Sequence, residues 1–189
     1  GWVDRTIQFL TVLGMAVPGF LIAVGLVLVF AINLGWFNAT GYTSFADDVL
    51  GWARSVTLPV IALAIGGASA VTQQIRGSVV DALQRDYVRT LRSRGLGTRS
   101  VVFTHVLRNS IGPALAVLNV QFIGMLGGAV IVEQVFQMPG LGQLAVGATT
   151  QGDIPIVMGL VVATALIVIL VNLIIDIAQG LLNPKVRLA

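Results

Sequence analysis

Few residues of this chain could do covalent chemistry. It holds one histidine, His105, eight carboxylates and no cysteine among 189 residues. A lone histidine has no second imidazole with which to share a metal, and without thiolates there is neither a disulfide nor a thiolate metal site. An intramembrane enzyme would need paired Asp, Ser/His or H-E-x-x-H groups at one depth. Asp176, at the edge of an apolar run, has no such partner. Residues 140–145 match G-x-G-x-x-A, yet no strand precedes them and no βαβ unit is present, so a dinucleotide site is excluded. No G-x-x-x-x-G-K-[ST] run occurs either. The remaining polar residues can bind and position. Seven arginines (Arg76, Arg85, Arg89, Arg92, Arg94, Arg99 and Arg108) crowd one interval, out of 11 basic residues in all. Gln121, Asn172 and Asp176 sit inside or beside apolar runs, and Glu133 precedes the turn Pro139-Gly140-Leu141-Gly142.

The elements that carry these residues are set by lipid. The chain is 56% hydrophobic and 10% charged, with a mean hydropathy of +0.94, where a soluble domain is about 25% charged. That excludes disorder, a nucleic-acid-binding tail and an ordinary soluble enzyme. Four runs read as transmembrane helices: residues 7–32, 56–75, 109–132 and 154–175. Pro18-Gly19 predicts a kink in the first. Pro59, Pro113 and Pro155 fall near the starts of the others, where a missing N–H does no harm. Residues 134–152 are also uncharged, but four Gly, one Pro, four Gln and two Thr make a poor lipid-facing backbone. They read as a loop with a short helix after Pro139-Gly140.

Charge gives the orientation. The basic interval 76–108 and the C-terminus, with Lys185 and Arg187, are rich in cations, whereas the other loops carry Asp47, Asp48, Glu133 and Asp153. The positive-inside rule puts the basic loop, the C-terminus and the N-terminal edge in the cytoplasm. An even number of spans, two, separates the loop from the C-terminus. Within the loop Val80, Leu83, Tyr87 and Leu91 are spaced as one helix face, with Arg85, Arg89 and Arg92 opposite. Gly95 suits a left-handed C′ position, and Thr98 can cap a second short helix toward Leu107. A basic amphipathic helix can lie on anionic lipid or dock in a partner's groove. The tight Gly turn and return segment favour a docking elbow.

In the third span Gln121, Gly124 and Gly128 share a face with Gly127 beside them, a pattern for close helix packing. Gln121 can face a translocation path or a neighbouring helix, and Asn119 lies on a different face. In the fourth span Asn172 and Asp176 are i, i+4, reading as a polar seam at the inner mouth.

The run 86–96, Asp-Tyr-Val-Arg-Thr-Leu-Arg-Ser-Arg-Gly-Leu, resembles the cytoplasmic loop of bacterial binding-protein-dependent ABC importer permeases. The likeness continues through His105-Val106-Leu107-Arg108-Asn109-Ser110 with Pro113, through 133–142 and Asp153-Ile154-Pro155, and through 172–176 and Asn183-Pro184-Lys185-Val186-Arg187. Together these resemble the first, B-type, permease subunit of the dipeptide/oligopeptide/nickel subgroup, over nearly the whole chain. The broader family writes Glu-Ala-Ala where Arg89, Thr90 and Leu91 stand, and Leu-Pro where Leu107 and Arg108 stand; these departures are the peptide-subgroup form.

The resemblance implies an all-α polytopic membrane protein with the type I ABC importer permease fold, here a single transmembrane domain over 1–189. It implies four spans of a six-span subunit, with two more expected before residue 1. It implies a non-enzymatic transport subunit in a bacterial inner membrane, with ATP and Mg held by partner subunits and no cofactor in this chain. The implied partners are a second homologous permease, two cytoplasmic ATPases, a substrate-binding protein, a peptide substrate and the bilayer, and no nucleic acid. Carried onto this sequence, roughly 81–95 is the coupling helix, with Tyr87 and Leu91 as buried anchors, Asp86, Arg89 and Arg92 as polar contacts and Gly95 as pivot. Gln121, Asn172 and Asp176 are candidates for the translocation path. Glu133, Pro139, Gly140 and Gly142 are candidates for the periplasmic gate, the other reading being a structural turn with Glu133 solvated. Import of nickel or another small solute is the alternative within this class. An export permease or a membrane scaffold is the alternative outside it.

Overall fold

In a computed structural model, which describes residues 1–182, every regular element is a helix. The chain opens with α1 (Trp2–Ala16) and α2 (Gly19–Leu26), the latter running on as a π-helical segment, Val27–Asn33. A loop leads to α3 (Val49–Leu83), then α4 (Asp86–Ser93). A helical turn at Thr98–Ser100, α5, passes through a π segment (Val101–Val106) into α6 (Leu107–Phe136). The chain continues as α7 (Leu141–Gln151) and α8 (Ile154–Leu182). The features expected at Asn183, Pro184, Lys185, Val186 and Arg187 lie outside the described residues.

Helices α3, α6 and α8 are each long and apolar enough to cross a membrane, and α1 with α2 makes a fourth crossing if the bent pair is one span. The break at Pro18 is larger than the expected kink: the two segments meet at 107°. The residue before a proline is pushed out of the helical region, and Val17 is extended at φ −84°, ψ 123°. Pro18 itself is extended at ψ 137°, so two consecutive residues leave the helix. Its carbonyl then accepts from Leu21 N at 2.9 Å to start α2.

The elements are also longer than apolar runs suggested. Helix α3 has 35 residues, about 52 Å at 1.5 Å per residue, against roughly 30 Å of hydrocarbon. It begins at Asp48, whose carboxylate accepts from Leu50 N at 3.0 Å, so Pro59 is interior rather than in the first turn. Pro113 is likewise interior, because the helix that holds it is already running from residue 98. Thr98 is the first residue of that helix and caps nothing; Gly97 is the cap.

Two cores hold the bundle. One joins α2, α3 and α6 through Ala23, Leu58, Ala62, Val132 and Phe136. The other lies under α4 and consists of Ala82, Val88, Val101 and Val106. Close helix approach is set by glycines on α1 and α3 more than by those expected on α6. A Cβ on Gly14 would strike the Ser69 hydroxyl, and one on Gly67 would strike the Met125 methyl. Of Gly124, Gly127 and Gly128 on α6, Gly128 has a near neighbour, Leu63 at 3.8 Å, while Gly124 and Gly127 face open space. Replacing Gly14 with Val should therefore force α1 off α3 and cost about 1–3 kcal/mol. Gly124→Ala should stay within about 0.5 kcal/mol of the parent. Thermal unfolding of the detergent-solubilised protein measures both.

Candidate functional site

The basic elbow is built around α4. Its first residue follows a break at Gln84 and Arg85, so the single helix expected over 81–95 is two helices, α3 ending at Leu83 and α4 starting at Asp86. The break resets the helical phase. Val88, which the spacing through Val80 and Leu83 had passed over, is fully buried against Ala82, Val101 and Val106. Tyr87 and Leu91 flank it and are half-buried in the same internal core. They therefore anchor the elbow on its own bundle. Asp86, Arg89 and Arg92 are exposed on the other face. Arg89 and Asp86 approach to 3.7 Å with side chains 81% and 96% exposed, a pairing worth little in water.

Gly95 closes the elbow. It sits at φ +82°, where a side chain would be strained. Its N–H donates to Arg92 O at 3.0 Å, and Leu96 N donates to Leu91 O at 3.3 Å, the helix-ending pattern that reverses the chain. Arg76 does not belong to this basic surface. It lies on α3, and its guanidinium grips Asp4 of α1 in two hydrogen bonds of 3.0 and 3.1 Å.

In the membrane interior Gln121 borders a cavity of about 480 Å³ where the α1–α2 break meets α3 and α6; Gly14, Pro18, Gly66, Gly67 and Gly124 line it as well. Asn172 and Asp176, one turn apart on α8, differ in exposure. The Asn172 Oδ1 is enclosed and accepts no hydrogen bond, whereas Asp176 is exposed beyond the buried stripe of α8. Asn119, passed over as a site residue, has the same enclosed, unpartnered Oδ1. The structure thus leaves Gln121 on the α3-facing side of α6.

At the opposite end Glu133, Gly140 and Gly142 come together. The Glu133 carboxylate accepts from Gln143 N at 2.8 Å, and the Gln143 side chain donates back to the Glu133 carbonyl at 3.0 Å. A carboxylate is favoured there because the first turn of α7 presents unpaired N–H groups and a positive dipole end. Glu133 is therefore engaged as a cap rather than solvated. A Cβ on Gly140 would land on that carboxylate, and one on Gly142 would come within 2.7 Å of the Val130 backbone. Pro139 is exposed at the tip. Gln143 was missed because its partner lies ten residues away in sequence, beyond any helical spacing.

The arrangement defines a polytopic helical membrane protein with a braced basic elbow at one end and a capped turn at the other. Residues 1–188 match the model of the family described as binding-protein-dependent transport system inner membrane component, and the chain belongs to that family. It is similar to a peptide transport system permease protein of Brucella abortus (strain 2308), 37% identical over 98% of this chain and 59% of the relative. It is also similar to the dipeptide transport system permease protein DppB of Bacillus subtilis (strain 168), 35% identical over 100% of this chain and 58% of that protein. A third relative is the glutathione transport system permease protein GsiC of Pectobacterium atrosepticum, 36% identical over 99% of this chain and 58% of that protein. The chain thus spans about 59% of the length of the curated relatives it matches.

Removing the Glu133 carboxylate tests the turn it caps. Glu133→Ala should cost about 0.5–2 kcal/mol, the range for a lost helix cap, and should raise amide hydrogen exchange across 139–145 while leaving the elbow unchanged. Hydrogen-exchange mass spectrometry reads both segments in one experiment.

Proposed function

We propose that the chain is the membrane-spanning part of a permease in an ATP-driven, binding-protein-dependent importer of short peptides. The supporting observation is α4. Its apolar side is fixed in the protein's own core through Val88, and its polar side, Asp86, Arg89 and Arg92, faces outward. That is the form of a rigid contact able to pass the closure of an ATPase into the bundle. In this reading α4 is the coupling helix, and its outward face meets the ATPase through charge rather than through Tyr87 and Leu91.

The remaining parts follow. A second homologous permease completes the path, two cytoplasmic ATPases supply ATP and Mg, and a substrate-binding protein delivers solute at the Glu133 end. The elbow and the N-terminal edge face the cytoplasm of a bacterium, and this chain contributes transport rather than catalysis. Gln121 beside its cavity is the favoured path residue. Peptide is preferred over nickel because the relatives' names specify peptide, dipeptide and glutathione, itself a tripeptide.

Gly95→Pro tests the coupling role. Proline holds φ near −65° and has no N–H, so it can neither adopt the +82° turn nor keep the bond to Arg92 O. In proteoliposomes of the complete transporter, peptide uptake should fall roughly tenfold or more, the effect of about 1.4 kcal/mol of lost docking. ATP hydrolysis and membrane insertion should persist. Normal coupled uptake would contradict the role assigned to the elbow, and uptake of nickel in place of di- and tripeptides would contradict the substrate.

A further inference from the structure

Helix α6 carries two stripes. One, through Ala114, Gln121, Met125 and Val132, faces α3, as the contact of Gly67 with Met125 shows. The other runs about a third of a turn round the helix, through Leu115, Asn119, Phe122 and Leu126, all partly buried. Asn119 is on the second, two residues and more than half a turn from Gln121. Helix α8 has its own partly or fully buried stripe through Val168, Asn172, Ile175 and Gln179.

The register between α6 and α8 is fixed at the cytoplasmic end, where Arg108 Nε donates to the Leu182 carbonyl at 3.4 Å. From Arg108 to Asn119 is eleven residues, three full turns, so both lie on one side of α6. At a rise of about 1.5 Å per residue, Asn119 stands about 16 Å above Arg108, and Asn172, ten residues back from Leu182, stands about 15 Å above it. The helices are antiparallel, so the two asparagines lie at one depth. Each has an Oδ1 closed off from solvent with no donor. An amide also carries two N–H donors, so a half-turn of a side-chain amide presents a donor to the neighbouring acceptor.

We infer that Asn119 and Asn172 form an interhelical amide pair that sets the depth and rotation of α8 on α6. Polar side chains bond between helices in this way where the surrounding medium supplies no water. This assignment takes Asn172 out of the translocation path. It also fixes which face of α8 leaves the bundle, the face on which Asp176, Leu173, Ile174 and Ile177 are exposed. It does not rest on the transported solute or on the ATPase contact.

The chain has no cysteine, so introduced thiols in it are unambiguous. In the assembled transporter, Asn119→Cys with Asn172→Cys should be joined by oxidation or a short bis-thiol reagent, detected as a linked peptide by mass spectrometry. Gln121→Cys with Asn172→Cys, displaced to the α3 side, should remain unjoined. Joining of the control pair alone, or of neither pair, overturns the inference. Leucine variants give a second reading that does not depend on thiols. If the amides are paired, Asn119→Leu and Asn172→Leu each strand one buried amide, so the double variant should lower Tm by less than the sum of the two singles. Strictly additive shifts overturn the pair.

Discussion

The burial of Val88 between α3 and the π segment at Val101–Val106 is the interaction on which the functional architecture depends. Fully burying a valine contributes about 1.5–3 kcal/mol, modest alone, but here it decides orientation. With Val88 inside, Tyr87 and Leu91 follow it into the elbow core and Asp86, Arg89 and Arg92 are left outside. The left-handed turn at Gly95 then returns the chain to the helix that becomes α6. A displacement of α4 must therefore move α3 and, through the π segment that runs into it, α6, because α3, α4 and that segment share one core.

Those two helices meet again deeper in the membrane. Glycine–side-chain contacts hold α1 on α3 at Gly14 and α3 on α6 at Gly67, and the cavity beside Gln121 opens where the chain breaks at Pro18. At the far end of α6 its last turn carries Glu133, which caps α7. One continuous helical run from residue 98 to residue 136 thus connects the elbow, the cavity wall and the turn capped by Glu133. The most extensive helix pairing in the bundle is that of α3 with α6.

Much of this was legible in sequence. Lipid imposes long apolar runs and an uneven charge distribution, so the all-α membrane class and the position of the basic elbow were readable from composition and spacing. The boundaries were less so. Apolar runs report hydrocarbon thickness, whereas helices continue past it wherever backbone hydrogen bonds are satisfied, and this is why α3 begins at Val49 and α6 merges with the turn at Thr98. Val88 was missed because periodicity was read through a break at Gln84 and Arg85 that has no glycine or proline to mark it. The bend at Pro18 exceeded expectation because the proline and the residue before it both left the helix. Asn119 and Gln143 act through partners on other helices, and only tertiary register could bring them to notice.

The central claim is that α4 turns its apolar side inward and offers its polar side to the ATPase. A photo-crosslinking residue placed at Arg89, and separately at Val88, in the assembled transporter tests it directly. The account predicts an adduct with the ATPase subunit from position 89 and only intramolecular products from position 88. An ATPase adduct from position 88 without one from position 89, or capture of lipid alone at position 89, would contradict it.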